Sequence, residues 1–368
     1  MKRWLYTFFL SVICILVSCS YKNTGSFAET NNVPSAKGIM DLILIYHGLD
    51  TRPVWNNDNI RHYIYREKDN TPQWLFDGFL FLELWTRIDG VMYDYRVDNE
   101  GKAPAGKIQW EFLINKFFEK GTGADALEEV LQEQALQGFY PPYKRKIVYC
   151  IPTPQPKNKG WGSIGDDILD FSDTKDRLKA VEWYIGRILE EWKKKDYKHL
   201  DFGGFYWLHE RIEMENADDQ LVRGVKEVLA KQNIPLCWIP YYGAEGSARW
   251  DRLGFDIAYQ QPNYFFKTET PIEIMTGALQ FAKEHNNMAL EMEFDSRVQQ
   301  PEFRERFYTY LEEFEKAGVW DSRPVAYYDG ADGWLKLATG KDDEMKKMYD
   351  ALGDILVKRQ GKFSQITK

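Results

Sequence analysis

From residue 40 onward the chain repeats one local pattern: a short run rich in β-branched and aromatic residues, then a longer stretch with helical periodicity. The runs are Met40–Tyr46, Phe76–Trp85, Ile147–Pro152, Phe202–Leu208, Pro235–Tyr241, Phe255–Gln260, Met288–Phe294 and Pro324–Asp329. Runs of this length and composition read as strands. Helices separate most of them. Asp173–Lys195 carries an apolar face of Leu178, Val181, Ile185, Ile188, Leu189 and Trp192, and Ala217–Gln232 carries Leu221, Val225, Val228 and Leu229. Pro271–His285, Pro301–Ala317 and Asp342–Arg359 follow, with Pro271 and Pro301 suited to a first turn, where a missing N–H costs nothing. Parallel strands need crossovers, and eight strand–helix units in series close into an α/β fold, the (β/α)8 TIM barrel. An open doubly wound sheet is the other way to arrange such units. His47-Gly48-Leu49, however, follows the first strand where that fold places its GxGxxG turn.

Two connections are long. Thr86–Lys144 contains helical stretches at Gln109–Glu119 and Ala124–Gln137, and Thr153–Ser172 is rich in Pro, Gly and Lys. Both read as extended βα loops of one domain, residues 39–368, with no internal repeat. The N-terminus is different. Lys2 and Arg3 precede an apolar run from Trp4 to Val17, too short for an ordinary spanning helix and typical of a signal segment. Leu16-Val17-Ser18-Cys19 resembles a bacterial lipoprotein box, so residues 1–18 read as a signal peptide and Cys19 as the lipidated first mature residue. A cleaved signal with a coincidental Cys is the alternative. Residues 19–38 are polar and read as a flexible tether. The expectation is an exported protein, lipid-anchored in the bacterial cell envelope.

Composition narrows the partners. A formal net charge of −8 gives phosphates no basic footprint, which argues against nucleic acid. Cys150 and Cys237 lie inside strand-like runs and read as buried thiols. There is no CxxC or HExxH and the chain has only 5 His, so neither a metal nor a cofactor is expected. Aromatic residues make up 15%, heavy for a core alone, so some rings are expected to line a binding surface.

Barrel chemistry sits where strands end. The fourth run, Gly203-Gly204-Phe205-Tyr206-Trp207-Leu208-His209-Glu210, delivers Glu210 at its end with Tyr206 and Leu208 on the same alternating face. In the seventh, Glu291, Glu293 and Asp295 share one face and Leu290, Met292 and Phe294 the other. The greasy face belongs against the helices, so the acids are expected to point inward, where burial opposes their ionisation. Opposed carboxyls across a barrel mouth are what glycosidic cleavage requires: one protonates the leaving oxygen, the other attacks the anomeric carbon or activates water. Pairing of these acids with Arg87, Arg211, Arg249 or Arg297 is the structural alternative.

This arrangement resembles the clan of retaining glycoside hydrolases built on (β/α)8 barrels. The lipoprotein signal, the Gly203–Trp207 run with Glu210 and the segment Gln260-Gln261-Pro262-Asn263-Tyr264 are similar to an uncharacterised, glycosidase-like family of Bacteroidetes lipoproteins. The resemblance implies Glu210 as acid/base and Glu293 as nucleophile, with Glu291 the rival for the second role and a carboxyl separation near the ~5 Å of retention. His209 stands where the clan has Asn. Other strand ends supply candidates for holding sugar: His47, Glu83, Trp85, Tyr241, Tyr242, Gln260, Asn263, Tyr264, Tyr328 and Asp329, with Trp161, between Gly160 and Gly162, as a mobile lid. The leading expectation is a glycoside hydrolase acting on a polysaccharide or oligosaccharide. A non-catalytic glycan-binding lipoprotein comes second, and a metal-dependent hydrolase using His47, Asp50, Glu83 and His209 last.

Overall fold

The computed structural model describes Phe27 and residues 36–364; the signal segment, Cys19, most of the tether and the last four residues lie outside the described residues. Eight parallel strands close into a barrel in sequence order: β1 (Asp41–Tyr46), β2 (Gly78–Leu82), β3 (Arg145–Ile151), β4 (Leu200–Trp207), β5 (Leu236–Trp238), β6 (Ile257–Gln260), β7 (Ala289–Glu293) and β8 (Val325–Tyr328). The ring shuts where β8 pairs with β1 through Asp41↔Val325, Leu42↔Ala326 and Ile43↔Tyr327. Every residue of β1, β2, β5, β6 and β7 is buried, as strands covered on both faces require.

Helices form the outer shell: α1 (Asn57–Ile64), α2 (Lys107–Phe117), α3 (Ala124–Leu136), α4 (Thr174–Lys195), α5 (Asp218–Ala230), α6 (Ile272–Glu284), α7 (Pro301–Lys316), α8 (Gly333–Thr339) and α9 (Asp343–Phe363). Their ends follow local chemistry. Asp173 caps α4 by accepting from the Lys175 N–H, and Asp342 caps α9 likewise through Glu344 and Met345. Pro301 opens α7, while Pro271 stands one residue before α6 as its cap. The connection from β1 to β2 holds α1 and a hairpin, Tyr65–Lys68 with Thr71–Trp74, neither visible in the strand–helix pattern. A second hairpin, Gly162–Ile164 with Asp167–Leu169, lies in the Pro- and Gly-rich loop after β3. Among the described residues no helix is long and apolar enough to cross a membrane.

Two features position the site. The register of β4 against β3 shifts between Phe202 and Gly204, a bulge that the glycine pair permits. Gly204 has φ +142°, and a Cβ there would sit 2.6 Å from the Pro235 carbonyl oxygen. At the amino ends of the strands, a buried network seals the barrel. Asp77 accepts from the Asp41 N–H (2.8 Å) and the Tyr143 hydroxyl (2.8 Å), while Asp41 accepts from Arg359 Nε and the Tyr327 hydroxyl (2.7 Å each). Arg359 also donates to the Met40 and Arg323 carbonyls, fastening α9 beneath β1 and β8. Cys150 and Cys237 are free, buried thiols, in line with their strand positions.

Candidate active site

At the carboxyl ends of the strands the barrel opens into a cavity of about 310 Å³. Strand parity builds its floor: Leu44 and Tyr46 from β1, Leu82 from β2, Tyr206 and Leu208 from β4 and its extension, Glu291 from β7 and Tyr328 from β8. Loops complete the wall with Asp94, Arg96, Glu210, Gln261, Asn263 and Phe266. Glu210 is fixed from both sides: Tyr95 donates its hydroxyl to Oε2 (2.9 Å), and Gln261 donates Nε2 to Oε1 (3.0 Å). Gln261 is itself anchored by a bond to the Ile239 carbonyl (2.9 Å).

The strand-seven acids differ from one another. Glu291 lines the cavity, and among the described residues no hydrogen bond or ion pair holds its carboxyl. Glu293 is fully buried and is not part of the cavity wall. Its Oε2 accepts from the Tyr310 hydroxyl and from the Tyr264 N–H (3.2 Å), while Oε1 has no partner. Burial raises all three glutamates above the ordinary carboxyl range. Glu291 is pushed well up by burial, then by Glu293 and Glu210. Glu293 is pushed to about 8 by burial against the opposing pull of Tyr310 and the Tyr264 and Asn263 N–H groups. Glu210 is raised by burial and Asp94, but Gln261, Tyr95 and Arg96 favour its charged form. Glu291 and Glu293 therefore titrate as one unit, and Glu210 is the member with a donor on each carboxyl oxygen. Among the described residues, none of the three forms an ion pair with Lys, Arg or His.

The structure brings Glu210, Glu291, Tyr206, Asn263 and Tyr328 together and corrects several other assignments. Glu293 lies outside the cavity wall, its carboxyl turned to Tyr310. Asp295 turns away to cap a short helix and pair with Arg297 (2.7 Å). Glu83 is clamped by Arg52 through Nε (2.9 Å) and Nη2 (2.6 Å). His209 does not point at the site: its ring stacks on Tyr95 with centroids 4.5 Å apart, and burial beside Arg211 and Arg177 lowers it to about 3, so it is neutral. His47 packs between Phe81 and Phe117 and is lowered by burial to about 4. Trp161 is no lid. It is buried, edge-on to Trp110 and Trp183 and stacked on Phe171.

Others support the cavity from behind. Tyr264 lies under Arg306 and delivers its N–H to Glu293. Gln260 donates to the Pro240 and Gln261 carbonyls. Asp329 accepts from the Tyr63 hydroxyl and the Trp334 N–H at the start of α8. Tyr242 packs edge-on to Phe281, and its N–H donates to the Asn263 side chain (3.0 Å). Tyr241 forms a lone bridge with Gln261, and Trp85 lies below the Lys102 ammonium, both away from the wall. Sequence reasoning missed Tyr46, Asp94, Tyr95, Arg96, Phe266 and Tyr310. Tyr46 was within reach, since it continues the inward parity of β1; the rest stand in loops or on a helix, where no period marks them.

His209, Glu213 and Asp218 offer ligand atoms within 4.8 Å of one another, a spacing a cation can use. Their oxygens are already engaged: Asp218 by Arg177 (2.7 Å) and Glu213 by Arg211 and Asn216. Guanidinium charge occupies the place a metal would take.

Fold and site define the class: a (β/α)8 barrel whose carboxyl-end cavity is walled by aromatic rings around unpaired acids. Residues 41–354 match the family described as a domain of unknown function (DUF4855), and the chain belongs to that family. No curated protein matches the chain. Solved structures that resemble it include a family 18 chitinase from Crocus vernus (11% identity, 86% of this chain and 99% of that one, TM-score 0.46). The Group IV chitinase of Ostrinia furnacalis is similar at 9% identity, 85% and 100% coverage and TM-score 0.42. The tryptophan synthase α-subunit of Pyrococcus furiosus gives 8% identity, 87% and 98% coverage and TM-score 0.37.

Proposed function

We propose that the chain is a glycoside hydrolase acting on a polysaccharide or oligosaccharide, held at the cell envelope by lipid on Cys19. The observation that carries this reading is that Glu210 and Glu291 share one cavity with the rings of Tyr46, Tyr206, Phe266 and Tyr328. Flat rings stack on sugar C–H faces, and two carboxyls that differ in proton affinity divide the acid and base work.

The hydrogen bonding supports roles opposite to those the resemblance implied. Glu291, with no donor and two acidic neighbours, keeps its proton and is the acid. Glu210, with a donor on each oxygen and Arg96 close by, is the carboxylate. In the first step Glu291 protonates the glycosidic oxygen as its bond to the anomeric carbon breaks, and a Glu210 oxygen bonds to that carbon. In the second, Glu291 takes a proton from water, the water oxygen displaces Glu210, and the sugar leaves with its original configuration. Glu293 acts from outside the wall: burial holds it at about 8, and once it ionises its charge raises the proton affinity of Glu291.

A panel of glycans assayed for new reducing ends tests this. The wild type cleaves at least one member, and E210Q and E291Q each lose about a hundredfold or more on it. Wild-type turnover in both variants contradicts the assignment. Glycan binding without cleavage is the second reading, favoured by the burial that raises all three carboxyls. It predicts retention of a glycan with no product.

A further inference from the structure

The charges of the cavity wall bear on the substrate's own charge, an inference that rests on the saccharide reading above. The wall holds three acids, Asp94, Glu210 and Glu291, and one cation, Arg96. Arg96 is already committed, since its Nε donates to Asp94 Oδ2 at 2.5 Å. Those two charges cancel, and Glu210 is left with the neutral donors Tyr95 and Gln261. Nearby guanidinium groups are engaged elsewhere: Arg52 by Glu83, Arg297 by Asp295 and Arg211 by Glu213. The remaining wall is aromatic, and the electron-rich faces of Tyr46, Tyr206, Phe266 and Tyr328 attract cations.

An acidic sugar entering this space meets the Glu210 carboxylate, and among the described lining residues no free cation offsets it. A neutral sugar leaves the buried negative charge uncompensated. An ammonium group resolves both costs. We propose that the cavity takes a cationic saccharide, a sugar ring bearing a free amino group seated against Glu210 and Glu291 among the tyrosine rings. At about 310 Å³ the space is at the small end of ligand pockets, so the charge is read on a single ring.

Calorimetry in mildly acidic buffer, where the amine is charged, tests this with three oligosaccharides of one length and linkage. They are glucosamine, N-acetylglucosamine and glucose oligomers, which differ only at the second carbon. The glucosamine oligomer is expected to bind the wild type about tenfold or more tighter than the other two, one ion-pair's worth of affinity. E210Q removes the anion and D94N frees Arg96, so each narrows the preference; D94N carries the comparison should E210Q fold poorly. Equal or tighter binding of either uncharged oligomer, a preference unchanged in D94N, or no binding by any of the three overturns the proposal. The first two outcomes leave the hydrolase reading standing if glycans are still cleaved. Amine-selective binding with no cleavage of any glycan keeps this proposal and removes that reading.

Discussion

Glu293 stands two residues beyond Glu291 on β7, and its negative charge raises the proton affinity of Glu291. Because burial and this repulsion hold Glu291 well above the ordinary carboxyl range, it keeps its proton to higher pH than an ordinary carboxyl, and turnover is expected to fall once the pH rises past that point. E293Q removes the neighbouring charge, so Glu291 releases its proton more easily. The alkaline limb of the kcat profile is expected to move down by roughly one pH unit. A limb that stays put or moves up would mean that Glu293 has no electrostatic role. At this scale legibility followed strand parity. Alternation along β4 and β7 located Glu210, Tyr206 and Glu291. It also placed Glu293 and Asp295 inward, because parity does not show that a side chain at a strand end can bend to a helix tyrosine or to an arginine two residues on. Trp161 was misread for a related reason: flanking glycines mark a permissive backbone and say nothing about four rings packing together.

Among the elements, β4 carries the most consequence per residue. Its bulge at Gly204 sets which side chains beyond it face inward, Glu210 included. Gly204→Ala forces a Cβ against the Pro235 carbonyl oxygen in a backbone region alanine avoids. A cost of about 1–3 kcal/mol in urea unfolding is expected, with glycan cleavage falling further than the stability loss explains. An unchanged midpoint and rate would show that the bulge is incidental. The long helices were readable because their apolar faces repeat over several turns. By contrast, α1 has eight residues, and the hairpin after it turns through Asp69-Asn70, both at positive φ, without the glycine that marks such turns most clearly.

For the whole molecule, closure of the barrel depends on one buried arginine. Arg359, on the final helix, pairs with Asp41 at the first strand and bonds four further carbonyls. Arg359→Met strands Asp41 as an unpaired buried acid, and a loss of about 3–5 kcal/mol is expected in thermal or urea unfolding. A loss below about 1 kcal/mol would show that helix packing alone closes the ring. The barrel itself was legible from eight alternations, since few architectures satisfy so many parallel crossovers. The different surroundings of its acids were not, because they depend on Tyr95, Gln261 and Tyr310 arriving from distant segments.

The central claim is that Glu291 gives the proton and Glu210 accepts the anomeric carbon within one cavity. Paired aryl glycosides of a sugar the protein is found to cleave, one with a poor leaving group and one with a good leaving group, test it directly. A good leaving group departs without protonation. E291Q is therefore expected to lose activity on the first substrate and largely keep it on the second, while E210Q loses both. Loss of both by E291Q with selective survival of E210Q would contradict the account and exchange the two roles; full activity of either variant on both substrates would remove that residue from the chemistry.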